Sequence, residues 1–217
     1  MNKEIISKRI LLIDDHPVCG CGLSRVTETN DNFTLAYYAN TDATLTEDIN
    51  PDIIVLEISS GNNQGLALIK GLRSLYPKAP VLILSSQAES VFAERCLKAG
   101  AKGYVMKNAD ETEILEALKT ISNGKLYTSP SLKAQLLNQI SCGSYSSNLP
   151  SVDALSDREL LIIQRIGQSR NNGEIAKELS ISTKTIESHR SRIKTKLKLS
   201  SPNELVRYAV RLQDSSY

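Results

Sequence analysis

The sequence predicts an α/β domain of the doubly wound, flavodoxin-like kind, followed by a smaller all-α domain. Three observations carry this. Apolar runs alternate with amphipathic stretches from Arg9 to about Asn123, as in a parallel sheet covered by helices on both faces. The segment CGSYSSNLPS then reads as a linker, rich in Ser with a Gly and a Pro. From Ser156 onward the pattern is wholly helical, with repeated cap signals.

The strand candidates are Ile10–Ile13, Thr34–Ala39, Ile53–Leu56, Val81–Leu84 and Gly103–Met106. Helical segments are expected near 17–28, 41–49, 64–76, 88–99 and 110–122, giving five β–α units in strict alternation. Asp110 and Glu113 have capping-box spacing at the start of the last. Ser129 and Pro130 open one more helix, with Leu132, Leu136, Leu137 and Ile140 on one side. The expected organisation is a first domain over 8–123, a linker over 124–154 with a helix at 130–141, and a second domain over 155–217.

In that second domain Ser156–Glu159 is a capping box, and Leu160, Ile163 and Ile166 turn inward on a helix ending near Gly167. Asn171–Glu174 opens a short helix through Leu179, and Ser182–Thr185 a longer one through about Leu197. Pro202 and Asn203 introduce a fourth, through about Leu212. The three-residue gap SIS between a short helix and a longer basic one is the spacing of a helix-turn-helix.

Composition sets the class. With 217 residues, 41% hydrophobic and 23% charged, the chain suits a globular protein of one large or two small domains. No apolar run approaches the roughly 20 residues that span a bilayer. The N-terminal MNKEIISKRILLIDD runs into two acids, unlike a signal peptide. Cys19, Cys21, Cys96 and Cys142 show neither CxxC spacing nor a paired His, so reduced thiols and a cytoplasmic location are expected. The net charge of +2 hides an asymmetry of −3 over residues 1–155 against +5 over 156–217. Such a split suggests two domains with different partners, the second polyanionic.

The segment TKTIESHRSRIKTKL sorts by face. Ile186, Ile193 and Leu197 form a buried stripe, while Lys184, Glu187, Ser188, Ser191 and Thr195 share the opposite side. Arg190, Arg192, Lys194, Lys196 and Lys198 flank that side. An apolar back, a small polar front and basic flanks suit a helix in a major groove, with flanks on phosphates and front on base edges. Glu187 could accept from cytosine N4. Asn172, Thr183, Thr185 and His189 complete the candidate DNA-binding set. A solvated basic helix would carry the same charges, but the turn spacing favours double-stranded DNA.

In a parallel sheet the site lies at the carboxyl ends of the strands. There the sequence places Asp14 and Asp15, then Glu57, Ser85 and Lys107. Clustered acids suit a hard cation such as Mg²⁺, and Lys107 supplies a point charge for an acid or phosphoryl group.

Two resemblances follow from these motifs. EIAKELSISTKTIESHRSRIKTKLKL, with LSDREL before it and NELVRYA after it, resembles the LuxR-type helix-turn-helix over about 155–212. This implies a transcriptional regulator binding duplex DNA as a homodimer through its last helix. Leu205, Val206, Ala209 and Val210 could supply that contact, with Leu205 and Ala209 assigned to packing within the monomer and Val206 and Val210 to dimerisation. LLIDDHP, LEISSGNNQGL, LILSS and KAGAKGYVMKNA resemble the receiver domains of NarL/FixJ-type response regulators, over about 8–123. The receiver resemblance implies that Asp14, Asp15, the residue at 57 and the main-chain carbonyl of Ser59 bind Mg²⁺. It also implies that Ser85 and Tyr104 switch position on phosphorylation and that Lys107 holds the phosphoryl group.

The central residue departs from the family. Glu57 stands where the phosphoacceptor aspartate belongs, Gly61 replaces a proline, and Cys19–Gly20–Cys21 replaces a stretch where a bulky residue and an arginine are common. Glutamate is longer by one methylene, about 1.5 Å, so its carboxylate enters the volume that an incoming phosphoryl group needs. A displacement of that size can cost ~100-fold in transfer. As a mimic of aspartyl phosphate it is incomplete, with about one negative charge against nearly two. Three readings stand. The preferred one is that Glu57 is not a working phosphoacceptor, with Mg²⁺ weak or absent and DNA binding set by other means. The others are a receiver still responsive to phosphate or Mg²⁺, fed by a sensor histidine kinase, and a purely structural pocket. An enzyme is not expected: there is no Gly-rich phosphate loop, no GxSxG and no paired Cys/His. A protein-binding regulatory module is the remaining rival.

Overall fold

In a computed structural model the chain is described over residues 7–58 except 42, 44 and 47, over 65–141, and over 152–214. It divides into two compact units, 1–136 and 137–217. In the first, the order is β1 (Lys8–Ile13), α1 (Pro17–Glu28), β2 (Phe33–Ala39), β3 (Ile53–Ile58), α2 (Gly65–Leu75), β4 (Val81–Ser85), α3 (Glu89–Ala99), β5 (Gly103–Met106) and α4 (Glu111–Ser122). Helix α5 (Pro130–Ser141) follows. All strand pairs are parallel, in the order β2-β1-β3-β4-β5. The winding reverses between β1 and β3, which opens a crevice at their carboxyl ends.

The central strands are buried on both faces, as their unbroken aliphatic runs require. Ile10, Leu12, Ile53, Val55, Leu82 and Val105 meet Leu23 of α1 and Ala117, Leu118 and Ile121 of α4 in one core cluster. The alternate residues Leu11, Ile13, Ile54, Leu56, Ile83 and Tyr104 point to the other face. Ile69 and Leu72 of α2 are buried as well. Side chains close the helix starts: Asp110 accepts from the Glu113 N–H, while α1 begins with Pro17 at its first turn.

The expected helix over 41–49 is corrected. No described residue between Asn40 and Asp52 is helical. Isolated turns, Ala43 N–H to Asn40 O and Ile49 N–H to Thr46 O, take its place. Thr41 gives its N–H and hydroxyl to Asp15, and Thr46 O accepts from the Tyr76 hydroxyl. Side-chain bonds of this kind compete with a helical ladder. On α5, Leu132 is buried but Leu137 is 53% exposed. The side chains of Leu136 and Ile140 lie outside the described residues.

The second unit holds a 3₁₀ turn (Val152–Ala154), α6 (Asp157–Gly167), α7 (Asn172–Glu178), α8 (Thr183–Lys196) and α9 (Pro202–Asp214). Ser156/Glu159 and Asn171/Glu174 form reciprocal capping boxes, and the Ser182 hydroxyl accepts from the Thr185 N–H. Leu179 caps α7, and Ser180 turns into the left-handed region at φ 53°, reversing the chain toward α8. Leu160, Ile163, Ile175, Ile186, Ile193, Leu197, Leu205 and Ala209 are fully buried between the helices.

Candidate functional site

Strand β1 delivers Asp14 to the crevice, β3 delivers Glu57, β4 ends on Ser85, and the turn after β5 presents Lys107. Asp14 and Ser85 are fully buried and Glu57 is 2% exposed. Lys107 Nζ lies 3.0 Å from Glu57 Oε1 and 3.4 Å from Asp14 Oδ2. Glu57 Oε1 receives no directed hydrogen bond, so its contact with the ammonium is an ion pair lying off the hydrogen-bond line. Burial pushes the Glu57 carboxyl up, Lys107 pulls against this, and Asp14 adds to the rise. For Lys107, burial pulls the ammonium down, but Glu57, then Asp14 and Cys19, outweigh it and leave the group raised.

Asp15 does not join this cluster. Its carboxylate takes the Thr41 N–H at 2.8 Å and the Thr41 hydroxyl at 2.6 Å, and the Thr41 hydroxyl chiefly holds its pKa low. Thr41 stands in a turn and not in the expected helix, and from there it reaches Asp15. His16 approaches instead: its N–H and Nδ1 lie 2.7 and 3.0 Å from Asp14 Oδ1. Among the described residues, Asp14, His16 and Glu57 bring one ligand atom each within 4.8 Å of one another. Ser59, the expected carbonyl ligand, and Gly61 lie outside the described residues. The departure at Cys19–Gly20–Cys21 also has a structural content. Cys19 Sγ lies 3.4 Å from Lys107 Nζ, and burial, with Asp14 adding, keeps it a protonated thiol. A Cβ at Gly20 would stand 3.2 Å from the Tyr38 ring, whose hydroxyl donates to Asp14 O at 2.7 Å.

The two residues expected to switch are tied to one loop. The Ser85 hydroxyl donates to Ile58 O and accepts from the Gln87 N–H at 3.1 Å. Tyr104 is 1% exposed and donates its hydroxyl to Gln87 O at 2.8 Å. Burial holds this phenol far above its ordinary pKa.

On α8, Thr183, Lys184, Glu187, Ser188, Ser191, Arg192 and Thr195 are exposed on the side away from Ile186, Ile193 and Leu197. Lys194 is half-buried. Thr185 is also half-buried, with its hydroxyl 2.8 Å from that of Ser182. Two cations of the expected DNA-binding set are engaged within the unit. Lys196 Nζ lies 2.6 Å from the buried carboxylate of Glu159, and Arg190 Nη1 donates to Asn172 Oδ1 at 3.2 Å. His189 is half-buried; burial, then Arg192, lowers its pKa, so it adds no cation near neutral pH. On α9, Val206 and Val210 are 40% and 38% exposed, one turn apart.

Residues 10–119 match the family described as response regulator receiver domain, and residues 153–209 match the bacterial regulatory proteins of the luxR family. The oxygen regulatory protein NreC of Staphylococcus haemolyticus is 30% identical over 210 residues, covering 94% of this chain and 97% of that protein. NreC of Staphylococcus epidermidis is likewise 30% identical, over 211 residues. Among solved structures, the response regulator ChrA of a heme-sensing two-component system is 28% identical, with TM-score 0.50, covering 96% and 98% of the two chains. RcsB from Salmonella enterica serovar Typhimurium, bound to promoter rprA with the phosphomimetic BeF3-, shares the fold at 21% identity and TM-score 0.57, covering 94% and 98%. This chain therefore belongs to the DNA-binding two-component response regulators, which join a receiver domain to a luxR-family domain.

Proposed function

We propose that this regulator controls transcription through a receiver that works without aspartyl phosphorylation. The observation that carries the reading is the Glu57–Lys107 ion pair at 3.0 Å. A lysine at this place would hold an incoming phosphoryl group; here it is already held by the resident carboxylates of Glu57 and Asp14. Glu57 is buried and longer than aspartate, so a phosphoryl donor lacks an in-line approach to it. The pocket fits Mg²⁺ poorly. That ion asks for an octahedron of oxygens, whereas Asp15 is spent on Thr41, His16 brings a nitrogen, and an ammonium sits against both buried acids.

In this reading the receiver spans 8–123, the linker 124–154 and the DNA-binding domain 155–217. The α8 helix enters the major groove, with Glu187, Ser188 and Ser191 on base edges and the basic flanks on phosphates. Two copies joined through Val206 and Val210 read a two-half-site operator. The location is cytoplasmic, where duplex DNA is the partner. A second reading, phosphorylation by a sensor histidine kinase, is favoured by the presence of Ser85, Tyr104 and Lys107 around the site. The test compares duplex affinity with and without acetyl phosphate and Mg²⁺, for the native chain and for Glu57→Asp. The proposal expects a native chain that does not respond and a variant that does. A native chain that responds supports the second reading.

A further inference from the structure

The contact between Asn172 and Arg190 joins the first turn of α7 to the middle of α8. Capping does not require it. Asn171 already closes α7 by accepting from the Glu174 N–H at 3.0 Å, which leaves the Asn172 amide for another purpose. Its Oδ1 accepts from Arg190 Nη1 at 3.2 Å, and both residues are half-buried. Burial holds the guanidinium somewhat below its ordinary pKa, but arginine stays charged at any pH a protein tolerates.

Three cations of this unit meet carboxylates, Arg165 on Glu178 at 2.7 Å, Lys196 on Glu159 at 2.6 Å and Arg170 on Glu174 at 3.7 Å, while Arg158 donates to the main-chain oxygen of Leu179 at 2.6 Å. Arg190 differs from those three. It makes no ion pair among the described residues, and its acceptor is a neutral amide. A carboxylate there would orient the guanidinium and also cancel the charge that a polyanion must meet. An amide oxygen orients it and leaves the full charge, together with N–H groups to spare for a fork-like contact. Ordering a long side chain before binding removes part of the entropy cost at the moment of binding.

We propose that Asn172 is a positioning residue that pre-orients Arg190 to clamp a backbone phosphodiester of duplex DNA, and that Asn172 makes no base contact of its own. The inference rests on the DNA-binding reading above and narrows the roles of two residues in the expected interface.

The experiment measures binding of the full chain to a random-sequence duplex as salt is varied. It compares the native protein with Arg190→Ala, Asn172→Ala, the double variant and Asn172→Asp, each checked for unchanged thermal unfolding. Arg190→Ala should lower the slope of log affinity against log salt by about 1, the loss of one phosphate contact. Asn172→Ala should weaken binding about fivefold, the worth of one hydrogen bond, with the native slope, because the charge remains. On the Arg190→Ala background it should add nothing. Asn172→Asp keeps an acceptor but neutralises the guanidinium, so its slope should fall as for Arg190→Ala. Native affinity in Asn172→Ala, or losses that add in the double variant, would overturn the proposal. If the native chain shows no salt-dependent duplex binding, the DNA reading itself fails and takes this proposal with it.

Discussion

Lys107 Nζ stands 3.0 Å from Glu57 Oε1 and 3.4 Å from Asp14 Oδ2, so one ammonium serves two buried carboxylates. Both acids sit at the ends of adjacent parallel strands and are almost wholly buried. The lysine is their main counter-charge. Removing one partner of a buried pair costs more than the pair itself contributes, because the remaining charge is stranded.

Lys107→Ala should therefore destabilise the receiver by about 3 kcal/mol or more. Adding Glu57→Gln should recover a large part, since the double variant buries one carboxylate fewer. Urea unfolding of the native, single and double variants checks this. A double variant no more stable than Lys107→Ala would show that the acids do not depend on the lysine.

The pH dependence has a definite sign. Burial raises the Glu57 carboxyl above its ordinary 4.5 despite the opposing pull of Lys107. The folded state therefore holds a proton at Glu57 more tightly than the unfolded chain does. The stability this gives is fully present below pH 4.5 and is lost as pH rises through the elevated folded value. The stability of the native chain minus that of Glu57→Gln should fall as pH rises from about 4.5 toward neutrality. Denaturant midpoints across that window measure it. A difference that grows with pH would mean that Lys107 dominates over burial.

Much of this was legible in the sequence, and the misses share a cause. Runs such as Ile53–Leu56 can be buried on both faces only in a central parallel strand, and strand order then gathers Asp14, Glu57, Ser85 and Lys107 at one edge. What pattern does not carry is the choice each polar group makes among neighbours distant in sequence. Asp15 turns to Thr41, Lys196 to Glu159, and Tyr38 reaches Asp14 O across the space left by Gly20. His16 could have been foreseen, because an Asp accepting from the N–H two residues on draws that residue toward itself. The Thr-containing stretch after β2 has too little apolar periodicity to decide between helix and turns.

Helix α9 offers a separate check. Leu205 and Ala209 are fully buried, while Val206 and Val210 are 40% and 38% exposed. Leu205→Ala should cost about 2–5 kcal/mol in stability of the DNA-binding domain. Val206→Asp with Val210→Asp should leave thermal unfolding nearly unchanged and weaken self-association and binding to a two-half-site duplex. Sedimentation and gel-shift assays distinguish these effects. An unchanged dimer in the double variant would place the interface elsewhere.

Intact mass spectrometry after incubation with acetyl phosphate and Mg²⁺ decides whether Glu57 accepts a phosphoryl group. Glu57→Asp provides the positive control. The native chain should stay unmodified while the Glu57→Asp chain is phosphorylated. A phosphoryl adduct on the native chain, mapped to Glu57, would contradict the proposed function.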